Sequence, residues 1–423
     1  MADDWCIGGK KMTWNLAFDK MMEIKNRYEE LFGKENEYDG DNWLLHWVDR
    51  IGIKEYKEIL SELIIKQSGD LVLLHYRIPH EIDGKDYFEA YGGILAECRS
   101  LVMDLRAESM VLTPFRKFRN LGECDETSEE NVAERLRNAT VIEFSEKLDG
   151  SMQSARIVDG TLVMSGSRTL DRNESFRLDG GYRYVLSHEN YVRMLSENSD
   201  LTFIFESIFK NDPHVVSYED EGLYLVVIRD SNDGREYDYR EVIDMAAGYS
   251  VPTTSLYGFS FGEALGFLSS ASGREHEGFV LNVDGFRVKM KSDDYVRINN
   301  WIFRLKDDSV LLKTVLAGEI DDIIPKLPQE FKEDVIKRTR MITDAIECRK
   351  ATVENYLRLM ESQGLTEKKD AMIWIHENVP RPFDVMVRCR YLRQNVDYTK
   401  GITMKEIHQR SRVETVKDRE IDE

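Results

Sequence analysis

Apolar residues recur at three- and four-residue spacing in NLAFDKMMEIKNRYEELF (15–32) and KEYKEILSELIIK (54–66), so residues 13–66 read as helical. The polar stretch GKENEYDGDN (33–42) between them reads as a loop. From about Asp70 to Lys291 the pattern changes to short β-rich runs separated by turns: LVLLHYRI, SLVMDL, ARIVDGTLVMSG, LTFIFESIF, LYLVVIRD and GFVLNVDGFRVKMK. Asp159-Gly160 and Asp284-Gly285 join alternating apolar arms and predict hairpins. A helix is expected over 183–197. After Trp301 the β signal largely stops. FKEDVIKRTRMITDAIECRKATVENYLRLME predicts one long amphipathic helix, and KKDAMIWIHEN and PFDVMVRCRYLR two more. Pro325 and Pro328 mark a break before the first, and Pro380 and Pro382 one before the last. The pattern predicts an α+β protein with antiparallel sheets. Its parts are a helical N-terminal extension (1–69), a central domain (70–300) and an all-helical C-terminal domain (301–423) ending in a charged tail.

A chain of 423 residues exceeds the size at which one core keeps growing, which agrees with several domains. No run of about 18 apolar residues appears, so no membrane helix is expected. The N-terminus MADDWCIGGKKMTW lacks the order of a signal peptide. Five cysteines (Cys6, Cys98, Cys124, Cys348, Cys389) without CxxC spacing argue against zinc or a disulfide framework and for the cytoplasm. No histidine pair has metal-ligand spacing, and His276 beside Glu277 reads as a surface group. Net charge is −20, which excludes broad coating of nucleic acid. Residues 301–423 hold 23 basic and 23 acidic side chains, so the acidic excess lies in the first 300. Any nucleic-acid contact is therefore a focused site there or belongs to the balanced C-terminal part.

The chemistry centres on Glu146-Lys147-Leu148-Asp149-Gly150-Ser151. A lysine between a β-run and an Asp-Gly-Ser turn can hold an amine against a phosphate, with Gly150 allowing close backbone approach. Use as a nucleophile calls for burial or cationic neighbours that lower the amine's pKa. Alone, KxDG is a weak signal, because a surface lysine before a β-turn is common. Other segments add weight. ECRS (97–100) and KFRNLGE (117–123) precede it; Phe205-Glu206, LVVIRD (225–230), EGFV (277–280) and VKMK (288–291) follow.

This order resembles the covalent nucleotidyltransferase superfamily of RNA ligases, DNA ligases and mRNA capping enzymes. KLDG stands as motif I, Glu206 as the acid of motif III, EGFV as motif IV and KMK as motif V. The flanking ECRS, KFRNLGE, KLDGS and Lys289-Met290-Lys291-Ser292-Asp293-Asp294-Tyr295-Val296 are similar to the RNA ligase 1 family of T-even phages, the tRNA-repair ligases. The resemblance covers about residues 70–300. It implies an ATP-grasp-like nucleotidyltransferase domain followed by a helical domain.

It also implies roles. Lys147 attacks ATP and carries AMP, which passes to an RNA 5′-phosphate before a 3′-hydroxyl seals the strand. Arg99, Lys117, Lys289 and Lys291 neutralise phosphate charge. Asp149, Gly150, Glu206, Val280 and, after motif I, Arg168 join the nucleotide site. Glu277, with Glu206, holds Mg²⁺ or Mn²⁺. Ile228 is a second candidate for packing on the base. The expected RNA is single-stranded or a cleaved tRNA loop, and the expected enzyme a monomer. Three departures stand out: Ser100 replaces a glycine, Arg119 replaces an aromatic, and the basic residue after motif I has only Arg168 as a counterpart. A DNA ligase or capping guanylyltransferase is the first alternative, but the run of strands for an OB barrel is missing. A non-catalytic nucleotide- or RNA-binding relative is the second, and retention of Lys147 speaks against it. Arg338, Arg340, Arg349 and Lys350 are candidate RNA contacts on the long helix.

Overall fold

The structure is a computed structural model that describes residues 6–7, 10–11, 13–34, 42–405 and 407. Most of the expected 33–42 loop, and the tail beyond 407, lie outside the described residues. Two compact units, Met1–Tyr295 and Val296–Glu423, stand where the sequence suggests three segments. The reason lies in the first unit's packing. Helices α1 (Leu16–Phe32), α2 (Trp43–Ile51) and α3 (Lys54–Ser61) share one apolar core with the strands that follow. Met21, Ile24, Tyr28 and Trp47 are buried in the same cluster as Val72, Leu74, Leu101 and Met103. Asn15 starts α1 by accepting from the Phe18 amide at 2.9 Å.

The strands in chain order are β1 (Cys6–Ile7), β2 (Lys10–Lys11), β3 (Leu63–Ser68), β4 (Leu71–Tyr76), β5 (Arg99–Asp104), β6 (Ser109–Leu112), β7 (Arg119–Asn120), β8 (Ile142–Lys147), β9 (Ser151–Val158), β10 (Thr161–Ser165), β11 (Leu201–Ile208), β12 (Gly222–Asp230), β13 (Leu256–Tyr257), β14 (Gly278–Val283) and β15 (Phe286–Lys291). Beside the β1–β2 pair they form three sheets, ordered β3-β4-β5-β6, β10-β9-β11-β12 and β13-β8-β14-β15-β7. Among the described strands, every strand pairing is antiparallel except β15 with β7. The helix expected to reach Lys66 stops at Ser61, and Leu63–Ser68 is a strand. Its Leu-Ile-Ile run gains a backbone partner in β4, from Leu63 opposite Tyr76 to Ser68 opposite Leu71, and that pairing overrides helical periodicity.

Both expected hairpins form. Asp159 and Gly160 have φ of 48° and 73°, and Asp284 and Gly285 of 48° and 88°. Positive φ at both central residues is the turn whose twist matches the strands. The expected 183–197 helix is two helices, Phe176–Ser187 and Glu189–Glu197, broken where His188 is extended. Helices Glu129–Arg137, Tyr239–Tyr249 and Phe261–Ser270 interrupt the region read as β-rich. Ser128 caps the first of them, and Asp238 with Glu241 and Ser260 with Glu263 form capping boxes on the others.

In the second unit the helices Gln329–Ser362, Lys368–Asn378 and Phe383–Tyr391 match the sequence pattern closely. Val353, Met360, Ile375 and Val387 form their core. Arg349, a candidate RNA contact, is buried there and donates from Nη1 to the carbonyls of Tyr398 (3.1 Å) and Lys400 (3.0 Å). Arg338 is likewise engaged, with Asp308 and the Leu305 carbonyl. No helix among the described residues is long and apolar enough to cross a membrane.

The shared core predicts that Ile24→Ala, at a fully buried position, destabilises the first unit by about 3 kcal/mol. Denaturant unfolding read by near-ultraviolet circular dichroism and by protection of β4 and β5 amides should shift together. A change confined to α1 would contradict the common core.

Candidate active site

Strand register assembles the reactive groups. Lys147 ends β8 opposite Gly278 of β14, and Gly278 in turn lies opposite Lys291 of β15. Glu277, just before β14, therefore sits between two lysines. Its Oε2 is 2.8 Å from Lys147 Nζ and its Oε1 2.9 Å from Lys291 Nζ, with the carboxylate side chain only 3% exposed. The glycine of EGFV is required here: Gly278 has φ 150°, and a Cβ would lie 2.0 Å from the Met290 carbonyl.

The charges around Lys147 differ from the sequence expectation of a lowered amine pKa. Burial does work to lower it, but Glu277 and Glu206 outweigh burial and hold the ammonium above the ordinary lysine value. Glu277 is correspondingly held down against burial by Lys147 and Lys291. Glu206, on β11, is pushed up to about 7 by burial and the charge of Glu277, with Lys147 and Arg99 opposing.

The opposite wall is cationic. Burial, with Arg99, Lys117 and Lys147 adding repulsion, pushes Lys289 down to about 5. Its Nζ donates to the Phe118 carbonyl at 3.0 Å and lies 4.7 Å from the Phe118 ring centre. Lys117 is lowered by burial and by Arg99. Arg99 starts β5 with its guanidinium 4.7 Å from the centre of the Phe115 ring. Of these groups, Arg99 and Lys289 open onto a cavity of about 700 Å³ counted to its mouth, which Lys147, Glu206 and Val280 also line; Lys117 is not among the lining residues. Val226 and Val227 share the apolar lining with Val280, whereas Ile228 is buried in the core behind. At the far end Glu143 is satisfied by the Tyr239 and Arg240 amides and by Asn282 Nδ2.

Asp149 serves the turn and not the cavity. Its Oδ2 accepts from the amides of Val215 (2.8 Å) and Val216 (3.1 Å), and its Oδ1 from the Tyr295 hydroxyl (2.8 Å). The Asp149 amide donates to Tyr218 Oη at 2.7 Å. Gly150 is enclosed: a Cβ would stand 2.6 Å from the Ser207 carbonyl and 2.9 Å from Glu206 Cγ. Ser151 Oγ donates to Asp212 Oδ2 at 2.7 Å, and Arg177 grips both oxygens of Asp212. The segment from Asp212 to Tyr218, together with Tyr295, thus clamps the Lys147 turn. The sequence pattern marks none of these residues for a role. Tyr295 stands in the segment 289–296 that begins with motif V, but 212–218 has no periodicity to mark it.

The departures have local explanations. Ser100 has φ 64°, a region favoured by the glycine it replaces, and its Oγ is 3.0 Å from Nδ1 of buried His75. Arg119 pairs with Asp86 and Glu123 and lies over the Phe88 ring, taking a packing role in place of an aromatic. Arg168 does not line the cavity. It acts on the neighbouring His75, which burial, Arg168 and Arg99 push down to about 4. Among the described residues no three or more His, Cys, Asp or Glu are grouped to hold a metal. Glu206 and Glu277 are two hard oxygen donors beside Lys147, a set that suits Mg²⁺ or Mn²⁺ when phosphate oxygens complete it.

Residues 97–310 match the model of the RNA ligase family, about half of the chain. A protein of Thermovibrio ammonificans, provisionally named an RNA ligase, is 28% identical over 310 residues, covering 69% of this chain and 76% of its own. Among solved structures, an archaeal ATP-dependent RNA ligase aligns with a TM-score of 0.42 at 15% identity, over 72% of this chain and 81% of that one. A Naegleria gruberi RNA ligase variant with ATP and Mn aligns with a TM-score of 0.35 at 14% identity, over 59% and 82%.

Two consequences are measurable. Glu277→Gln removes the main carboxylate holding up Lys147, so that amine should titrate lower and react faster with an amine-directed acylating reagent at neutral pH, as read by peptide mass analysis. An unchanged rate would contradict the ion pair's control. Glu206 titrates higher in the folded protein, near 7, than its ordinary 4.5. Between those values the folded state holds more protons, so wild-type stability falls as pH rises. Relative to wild type, Glu206→Gln should therefore gain about 1–3 kcal/mol from pH 4.5 to 7, measured by urea unfolding.

Proposed function

The chain belongs to the RNA ligase family, ATP-dependent enzymes that join RNA ends, and we propose that it works through AMP carried covalently on Nζ of Lys147. The supporting observation is the imbalance of buried charge. Burial, with Arg99 and Lys117 close by, pushes Lys289 down to about 5, while the nearby Glu277 carboxylate is already engaged by Lys147 and Lys291. Such a wall is stabilised by a polyanion, and a triphosphate suits it. Val226, Val227 and Val280 offer the base an apolar slot, and the cations grip the phosphates.

Once the Lys147 ammonium has given up its proton, Nζ attacks the α-phosphorus. An N–P bond forms, the α–β P–O bond breaks and pyrophosphate leaves. An RNA 5′-phosphate oxygen then attacks the same phosphorus, breaking N–P and forming a 5′-5′ pyrophosphate. Finally a 3′-hydroxyl attacks the RNA 5′-phosphorus, and AMP departs. Each displacement gathers charge on oxygens, which Arg99, Lys117, Lys289 and Lys291 neutralise. Glu206 and Glu277 would hold Mg²⁺ or Mn²⁺, which supplies further charge neutralisation on the phosphates. Glu277 so engaged would hold the Lys147 ammonium less tightly, which would favour the free amine. We assign the natural substrate as single-stranded or cleaved tRNA-loop ends, joined by a monomer in the cytoplasm as part of RNA repair.

Incubation with α-labelled ATP and Mg²⁺ should leave label on Lys147 that survives denaturation and is released by acid, as a phosphoramidate is, and Lys147→Ala should carry none. Label from GTP alone would point to capping chemistry. With 5′-phosphorylated single-stranded RNA the wild type should form sealed circles or joined strands; sealing of nicked DNA alone would refute the RNA assignment.

A further inference from the structure

We propose that His214 is a positioning residue for the Lys147 turn: its imidazolium bridges the carboxylates of Asp149 and Asp212 and so sets how fast Lys147 reacts. This rests on Lys147 being the nucleophile. His214 lies in the segment joining β11 to β12. Its Nε2 is 3.1 Å from Asp212 Oδ2, and its Nδ1 is 3.6 Å from Asp149 Oδ1. Both ring nitrogens thus face carboxylates. Only the doubly protonated ring presents an N–H to each, because neutral imidazole turns a lone pair toward one of them.

The bridge closes a circuit around the turn. Asp149 and Ser151 flank Gly150, and Ser151 Oγ is already bonded to Asp212 at 2.7 Å. With His214 between Asp212 and Asp149, both sides of Gly150 are tied through one imidazole. Gly150 has little room to move, and Lys147 stands two residues before Asp149. A slackened turn therefore shifts the backbone that aims Nζ.

The charged groups facing His214 are Asp149 from the turn, Asp212 from its own segment and Glu206 from β11. Arg177, bound to Asp212, is the nearby cation, yet Asp212 is held well below the usual carboxylate range by His214, Arg177 and Ser151 despite burial. Burial opposes the imidazolium, but Asp212 and Asp149, the two carboxylates its ring nitrogens face, outweigh it and hold His214 above the ordinary histidine value. The side chain keeps 22% of its surface exposed, so protons can reach it.

The test compares single-turnover formation of labelled Lys147 in wild type, His214→Asn and His214→Arg, from about pH 5.5 to about 8.5. Ratios between proteins cancel the shared titration of Lys147. His214→Asn should be slower by about tenfold at the acid end, with the gap closing as the wild-type imidazole loses its proton. His214→Arg, whose charge is permanent, should match wild type at the acid end and exceed it at the alkaline end. A gap between wild type and His214→Asn that is constant with pH would reduce His214 to a space-filling role and overturn the proposal. Independently of activity, the wild-type His214 imidazole should titrate above the ordinary value by NMR and fall in Asp212→Asn. Titration at or below the ordinary value would also overturn it. A wild type that never labels Lys147 would instead sink the nucleophile assignment itself.

Discussion

The register between β8 and β14 places Lys147 opposite Gly278, and from that pairing follows the Glu277 carboxylate bound to both Lys147 and Lys291. A buried carboxylate between two ammoniums is stable only as a set, since removing either partner leaves uncompensated charge in a poor solvent. It also explains the glycine of EGFV, because the backbone at 278 passes within contact of Met290. A residue with a Cβ would push β14 from β15 and separate the carboxylate from its lysines.

The electrostatics divide the cavity into two zones. Around Lys147, carboxylates dominate and the amine is held as an ammonium. At Arg99 of β5, Lys117 and Lys289 of β15, cations dominate, and burial with their repulsion pushes Lys289 toward neutrality. The cationic wall is not balanced by the protein alone. A nucleotide triphosphate with a divalent cation would engage both zones at once, the phosphates meeting the cations and the metal meeting the carboxylates. The ligand-free protein therefore keeps Lys147 protonated, and under the proposed function nucleotide binding would loosen that hold.

The turn carrying Lys147 is restrained from several elements. Asp149 is held by backbone amides of 215 and 216 and by Tyr295, while Ser151 is held through Asp212 and Arg177. Such restraint resists the small displacements to which in-line displacement is sensitive. It also converts Asp149 from a candidate nucleotide contact into a support, since its oxygens are already engaged by the protein.

Local pattern was enough to specify the two Asp-Gly hairpins, the C-terminal helices and the motif order around Lys147, because period and turn chemistry are properties of neighbouring residues. Glu206, Glu277, Lys289 and Lys291 were legible for another reason: their residue types and order resemble a known set. Tertiary structure alone decided what depends on distant contacts. Residues 63–68 became a strand by pairing with β4, and the N-terminal helices joined the core of the first unit. Arg349 went inside to hold the carbonyls of Tyr398 and Lys400. It also decided the protonation of Lys147, where the motif pointed to a lowered amine and the surrounding carboxylates produce a raised one. Charge state depends on which groups the fold brings within a few ångströms, and linear order does not carry that distance.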